Sequence, residues 1–149
     1  MAISMSEVQK LRDVTGAGVM ECKKALDDAN GNFDEALNLV RERGLVKVEK
    51  RSGREAGAGL IESYVHNGRI GVLLDLRAET DFVVRSADFQ QLAKELVMQI
   101  AADEPASVEE FLAQPYLRDE NKTIDALVKE VAARVGENIQ VNSFHRLAI

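Results

Sequence analysis

The side chains that could do chemistry are few and poorly spaced for it. His66 and His145 are the only imidazoles and Cys22 the only thiol. Neither histidine stands at a metal-ligand spacing, and no nucleophile elbow accompanies them. Gly16-Ala17-Gly18 begins like a phosphate-cradling loop, but Val19-Met20-Glu21 follows, and no further glycine precedes Lys23 to complete it. Asp28, Asn30 and Asn32 imitate the start of a calcium loop. Phe33 then occupies the position that needs glycine for a sharp turn, and Leu39 that of the bidentate glutamate. Carboxylates are plentiful and could be paired for acid–base work, yet spacing along the chain does not place two of them at a working separation. These residues argue against an enzyme and lead us to expect neither a metal nor a cofactor.

One segment stands apart: Glu79-Thr80-Asp81-Phe82-Val83-Val84-Arg85, between an apolar strand pattern and a long helical one. On one reading Thr80 or Asp81 caps the coming helix and Phe82 enters the core. On the other, an acidic and an aromatic side chain are presented together at the rim of a sheet. Loops on a rigid scaffold carry binding there, and an aromatic ring makes a strong anchor.

The elements that would position this segment follow from periodicity. Val8, Leu11 and Val14 recur at helical spacing from Ser4 to Thr15, and Cys22, Ala25, Leu26 and Ala29 form a second stripe ending at Asn30-Gly31. Asn32 with Glu35 caps a third helix carrying Phe33, Ala36, Leu37 and Val40, expected to stop at Gly44. None is long enough to stand alone in water, so residues 1–45 should form a three-helix module of the ubiquitin-associated kind. Lys47, Lys50, Arg51 and Arg54 then place a basic stripe on a connector over residues 46–57, readable as a solvated linker or as a contact for an acidic partner.

Residues 58–149 read as an α+β core. Two strand patterns, Leu60 to His66 and Arg69 to Ala78, flank Asn67-Gly68, the dipeptide best suited to a type I′ hairpin turn. Ile70, Val72, Leu74 and Leu76 make one face of the second arm apolar, and a stripe of Phe89, Leu92, Ala93, Leu96, Val97 and Ile100 supplies a helix to cover it. A short helix from Ser107, another from Thr123 to Gly136, and a last strand over 139–147 complete a three-stranded antiparallel sheet packed with helices. Such a sheet has open edges and an uncovered face. Pairing with a second copy of the chain, a homodimer, is therefore expected.

Composition narrows the partners. Hydrophobic residues make up 46% of the 149, enough to support a folded core. A formal net charge of −6 argues against a grip on nucleic-acid backbones. No apolar run is long enough to span a membrane and the first residues carry no targeting pattern, so a cytoplasmic protein is expected, and the lone Cys22 agrees with a reducing compartment.

The run Leu11-Arg12-Asp13-Val14-Thr15-Gly16-Ala17-Gly18-Val19-Met20-Glu21-Cys22-Lys23-Lys24-Ala25-Leu26 closely resembles the N-terminal signature of the elongation factor Ts family. Glu79-Thr80-Asp81-Phe82-Val83 resembles the family's second signature. The likeness continues through His66-Asn67-Gly68-Arg69-Ile70-Gly71-Val72-Leu73 and Val135-Gly136-Glu137-Asn138-Ile139 and so covers nearly the whole chain. It implies a translation elongation factor that is a non-enzymatic guanine nucleotide exchange factor. It would bind elongation factor Tu, GDP-bound or nucleotide-free, and promote GDP release by disturbing the magnesium and phosphate site. Asp81 and Phe82 are the implied wedge, with Thr80 and Val83 as implied partner contacts on either side of it. Met20 and Lys23 in the helical module, Arg51 in the connector, His66 at the hairpin, and Val135 with Gly136 are the other implied contacts.

Some positions depart from the family pattern. Asp75-Leu76-Arg77-Ala78 precedes the second signature where Glu and Asn are usual, Val84 replaces a small residue, Val14 stands where a basic residue is common, and Arg51 replaces Lys. The length matches short members with one core subdomain, which can dimerise. His145 lies where some of them carry a terminal-strand cysteine, which excludes a covalent link there. Two rival readings are a helical binding module without effect on exchange, and a family member that has lost exchange and serves regulation.

Overall fold

The computed structural model describes residues 2–149. Helix α1 (Met5–Thr15) starts from a reciprocal cap: the Ser4 hydroxyl accepts the Glu7 amide at 3.2 Å while the Glu7 carboxylate accepts the Ser4 amide at 3.1 Å. Helix α2 (Val19–Asp28) ends at Asn30 and Gly31, both with positive φ, which reverse the chain into α3 (Phe33–Arg51). The Asn32 carboxamide oxygen accepts the Glu35 amide at 3.1 Å and caps α3. Val8, Leu11, Cys22, Ala25, Leu26 and Ala36 meet in one small core.

The expected stop at Gly44 is wrong, because α3 runs through it to Arg51. A glycine ends a helix when it takes the left-handed conformation at its end. One that keeps helical angles costs only about 1 kcal/mol relative to alanine. Gly44 keeps them, and the turns beyond it are held by the buried Val48 and by an ion pair between Lys47 and Glu21. Lys47, Lys50 and Arg51 thus lie on the tail of α3, and Arg54 lies beyond it.

The chain divides into two compact units between Lys50 and Arg51. In chain order the second contains β1 (Ala58–His66), β2 (Ile70–Ala78), α4 (Asp81–Val84), α5 (Ala87–Asp103), α6 (Val108–Ala113), β3 (Pro115–Tyr116), β4 (Asp119–Thr123), α7 (Ile124–Val135) and β5 (Gln140–Ala148). Strands β1, β2 and β5 form an antiparallel sheet in that spatial order, with β2 in the middle. Asn67 at φ 51° and Gly68 at φ 66° give the β1–β2 hairpin the two left-handed residues of a type I′ turn. Val72, Leu74, Leu76 and Ala78 are buried on the inner face, beneath Phe89, Leu92, Leu96 and Ile100 of α5. Helix α7 packs on α5 and α6, and the Phe111 ring meets Phe144 of β5 edge-on at 5.6 Å.

The small β3–β4 hairpin was not foreseen. Its longer strand is Asp119-Glu120-Asn121-Lys122-Thr123, which has no apolar alternation to read. Polar bonds hold it to α5 instead. The Tyr116 hydroxyl donates to the Glu95 carboxylate at 2.8 Å, and the buried Gln99 accepts the Leu117 amide at 3.0 Å and donates to the Pro115 carbonyl at 3.1 Å. Among the described residues no helix is long and apolar enough to cross a membrane.

Candidate functional site

Between the end of β2 and the start of α5 the chain makes one helical turn, α4, and the sequence of that turn fixes its orientation. Thr80 holds extended backbone angles, and its hydroxyl accepts the Val83 amide at 3.3 Å, so Thr80 is the N-cap. Asp81 and Phe82 follow as the first two helical residues, Val83 and Val84 as the next two. The Val84 amide bonds back to the Thr80 carbonyl at 3.2 Å and the Arg85 amide to the Asp81 carbonyl at 3.1 Å. Val83 and Val84 enter the core at 4% and 7% exposure, whereas Phe82 is 85% exposed and Asp81 is exposed beside it. The reading of Phe82 as core therefore fails, and the reading of Thr80 as the cap holds.

Both flanks of the turn are secured by side chains. On the α5 side the Ser86 hydroxyl donates to the Val83 carbonyl at 2.7 Å and accepts the Phe89 amide at 3.3 Å, while the Gln90 amide donates to the Val84 carbonyl at 2.8 Å. On the β2 side the Glu137 carboxylate accepts from the Glu79 amide at 3.1 Å, the Thr80 amide at 3.0 Å and the Thr80 hydroxyl at 2.7 Å. The Glu79 carboxylate in turn accepts the Asn138 amide at 3.0 Å and lies 3.7 Å from the Arg54 guanidinium.

The other residues singled out from sequence fall at separate places in the two units. Val135 and Gly136 end α7, with Gly136 left-handed at φ 76° as its C-cap, directly before Glu137, and so belong to the same end of the sheet. His66 does not. It ends β1 at the hairpin, opposite Ile70, and a nine-residue strand puts that end roughly 25 Å from the turn. There its ring nitrogens are within 2.8 Å of the Tyr64 hydroxyl and 3.2 Å of the Asn67 amide nitrogen. Met20 and Lys23 lie three apart on α2 of the first unit, both exposed, Met20 at 74%, so Met20 is not a core residue. Arg51, half-buried, is the last residue of α3.

Glu137 and Glu79 received no role from sequence, although both fall inside runs that carry the family resemblance. The signal that would have found them is a contact between residues 57 to 59 apart, which no local spacing encodes. Among the described residues no group of three or more His, Cys, Asp or Glu side chains is arranged to hold a metal. The turn presents an exposed carboxylate and an exposed ring side by side.

Known proteins are similar to this chain over its whole length. A family model described as Elongation factor TS matches residues 79–149. The elongation factor Ts of Fervidobacterium nodosum is 39% identical, covering 100% of this chain and 99% of the relative. That of Thermodesulfovibrio yellowstonii is 37% identical over 100% of this chain and 97% of its own length. That of a Nostoc species is 43% identical over 99% of this chain but only 47% of its own. The first two alignments extend over 195 and 193 positions against 149 residues here, so these relatives carry additional residues that this chain lacks.

Proposed function

The chain belongs to the elongation factor Ts family, and from that premise we propose that it is a translation elongation factor acting as the guanine nucleotide exchange factor of elongation factor Tu. It binds that GTPase in its GDP-bound or nucleotide-free form and promotes release of GDP, working in the cytoplasm without a cofactor of its own. The observation that carries the reading is Phe82, 85% exposed beside an exposed Asp81, on a turn whose next two residues are locked into the core. A phenylalanine side chain left in water forgoes roughly 1.5–3 kcal/mol of burial, a cost that makes sense where a partner supplies the pocket.

On this reading the ring enters the partner's G domain, and the Asp81 carboxylate brings negative charge close to the magnesium and phosphate site. Disturbing those contacts speeds GDP dissociation, and linkage requires GDP to weaken the exchange factor's binding by the same factor. No bond of the nucleotide is made or broken, so the protein is not an enzyme. The first unit is read as the ubiquitin-associated-like docking domain, with Met20 and Lys23 as contacts. Arg51, His66, Val135 and Gly136 extend the interface of the α+β unit.

Fluorescent GDP bound to elongation factor Tu provides the test. The native chain is expected to accelerate its release. Asp81→Ala and Phe82→Ala should each reduce the acceleration at least about tenfold, with the chain's own stability unchanged to within about 0.5 kcal/mol because both side chains are exposed. Binding of elongation factor Tu without faster release would argue instead for a regulatory member of the family.

A second reading, of assembly, has its own observation. Ile61 and Val65 of β1, Leu73 of β2 and Leu147 of β5 lie exposed on the sheet face opposite α5. These apolar side chains, which share the face with Ser63, Asp75 and His145, support a homodimer in which two sheets pack face to face.

A further inference from the structure

A single helical turn has no stability of its own, so something outside α4 must hold Asp81 and Phe82 at a fixed angle. We propose that Glu137 is the positioning residue for this turn, acting through a clasp that the dipeptide Glu137-Asn138 makes with Glu79 and Thr80. The inference rests on the exchange reading above. One carboxylate collects three donors: the amides of Glu79 and Thr80 at 3.1 and 3.0 Å, and the Thr80 hydroxyl at 2.7 Å. The two amides belong to the residues immediately after β2 ends at Ala78, so the sheet does not fix them.

The hydroxyl bond matters most for geometry. A threonine hydroxyl has one hydrogen to give, and giving it to Glu137 leaves its lone pairs for the Val83 amide, which it accepts at 3.3 Å. Glu137 thereby sets the rotamer of the cap that starts α4. The clasp is reciprocal, because the Glu79 carboxylate accepts the Asn138 amide at 3.0 Å. The Asn138 side chain, buried, donates to the carbonyls of Arg54 at 2.8 Å and Ser52 at 3.4 Å. Two consecutive residues therefore join the segment after α3 and the Thr80 cap. Hydrogen bonds to a carboxylate are the strong kind, and those of Glu137 go to two backbone amides and to the capping hydroxyl of the segment that carries the wedge. Gly136, left-handed, already ends α7, so the helix does not need Glu137 to stop.

The test measures release of fluorescent GDP from elongation factor Tu against concentration of the full chain, giving a maximal rate and a half-saturating concentration. Hydrogen exchange at the Thr80 and Val83 amides is followed in the same variants. Glu137→Ala should lower the maximal rate about tenfold and speed exchange at both amides by a similar factor. Glu137→Gln still offers an oxygen to the two amides and an amide hydrogen to the Thr80 hydroxyl oxygen, and should stay within about threefold of the native chain. The proposal is overturned if Glu137→Ala matches the native maximal rate, or if Glu137→Gln is as impaired as Glu137→Ala and both lose protection throughout the sheet, the mark of a purely structural residue. A native chain that leaves GDP release unchanged would overturn the exchange reading and this inference together, whereas an active native chain with an equally active Glu137→Ala removes only the inference.

Discussion

Phe82 and Val83 are neighbours with opposite fates, one 85% and the other 4% exposed, and the difference is set by where the helical turn begins. With Thr80 as cap, the third and fourth residues of the turn face the core, and the first two face away. Moving the cap by one residue would bury a different pair. Of the departures from the family pattern, those at Asp75 and Arg77 lie in β2 before this turn and Val84 is its last residue. Asp75 and Arg77 pair with each other at 2.5 Å, Asn142 adds a bond at 2.9 Å, and the Arg77 hydrogen bond holds the Asp75 carboxyl below its ordinary range. Val84 fills core beneath the turn. A separate residue carries a pH prediction. Burial, and then the bond donated to the Glu95 carboxylate, push the Tyr116 hydroxyl up to about 12. The folded chain therefore keeps this proton more tightly than the unfolded chain, whose phenol titrates near about 10. The stabilisation is complete below about pH 10 and is lost as pH rises to about 12. Urea titrations at about pH 9 and about pH 11 should show the native chain losing more stability than Tyr116→Phe over that interval, and equal losses would refute the assignment.

Among the elements, the β1–β2 pair has the least room. Gly59 lies opposite Arg77, and a Cβ added there would stand 2.6 Å from the Leu76 carbonyl oxygen and 2.6 Å from the Arg77 Cδ. The side chain can swing away but the carbonyl cannot, so Gly59→Ala should destabilise the second unit by about 1–3 kcal/mol, read from denaturant midpoints at constant slope. An unchanged midpoint would mean that the strands separate more easily than their register suggests. Most elements were legible because their signals are local: the cap at Asn32, the helix starts at Ser107 and Thr123, the Asn67-Gly68 turn, and the α5 stripe all lie within a few residues of what they specify. The failures share the converse cause. Gly44 was read as a stop although its conformation depends on what lies beyond it, and β3–β4 is held by Glu95 and Gln99 from another element.

At the scale of the whole molecule, the outer sheet face leaves Ile61, Val65, Leu73 and Leu147 in solvent. Homodimerisation through that face, as proposed, predicts a dimer by sedimentation at micromolar concentration and a monomer for Leu73→Asp, since a new carboxylate between the two sheets would have to be desolvated. A native chain that sediments only as a monomer would exclude it. The α+β class, the order of the elements and the two signature runs are written along the chain, because periodicity, capping and turn chemistry act between near neighbours. Packing alone turns Phe82 to solvent while Val83 and Val84 are buried, sets His66 at the far end of the sheet from the turn, and brings Glu137 back across 57 residues to hold Thr80. Exposure and long-range hydrogen bonds depend on which distant segments arrive at the same place, and that is fixed by packing rather than by spacing along the chain.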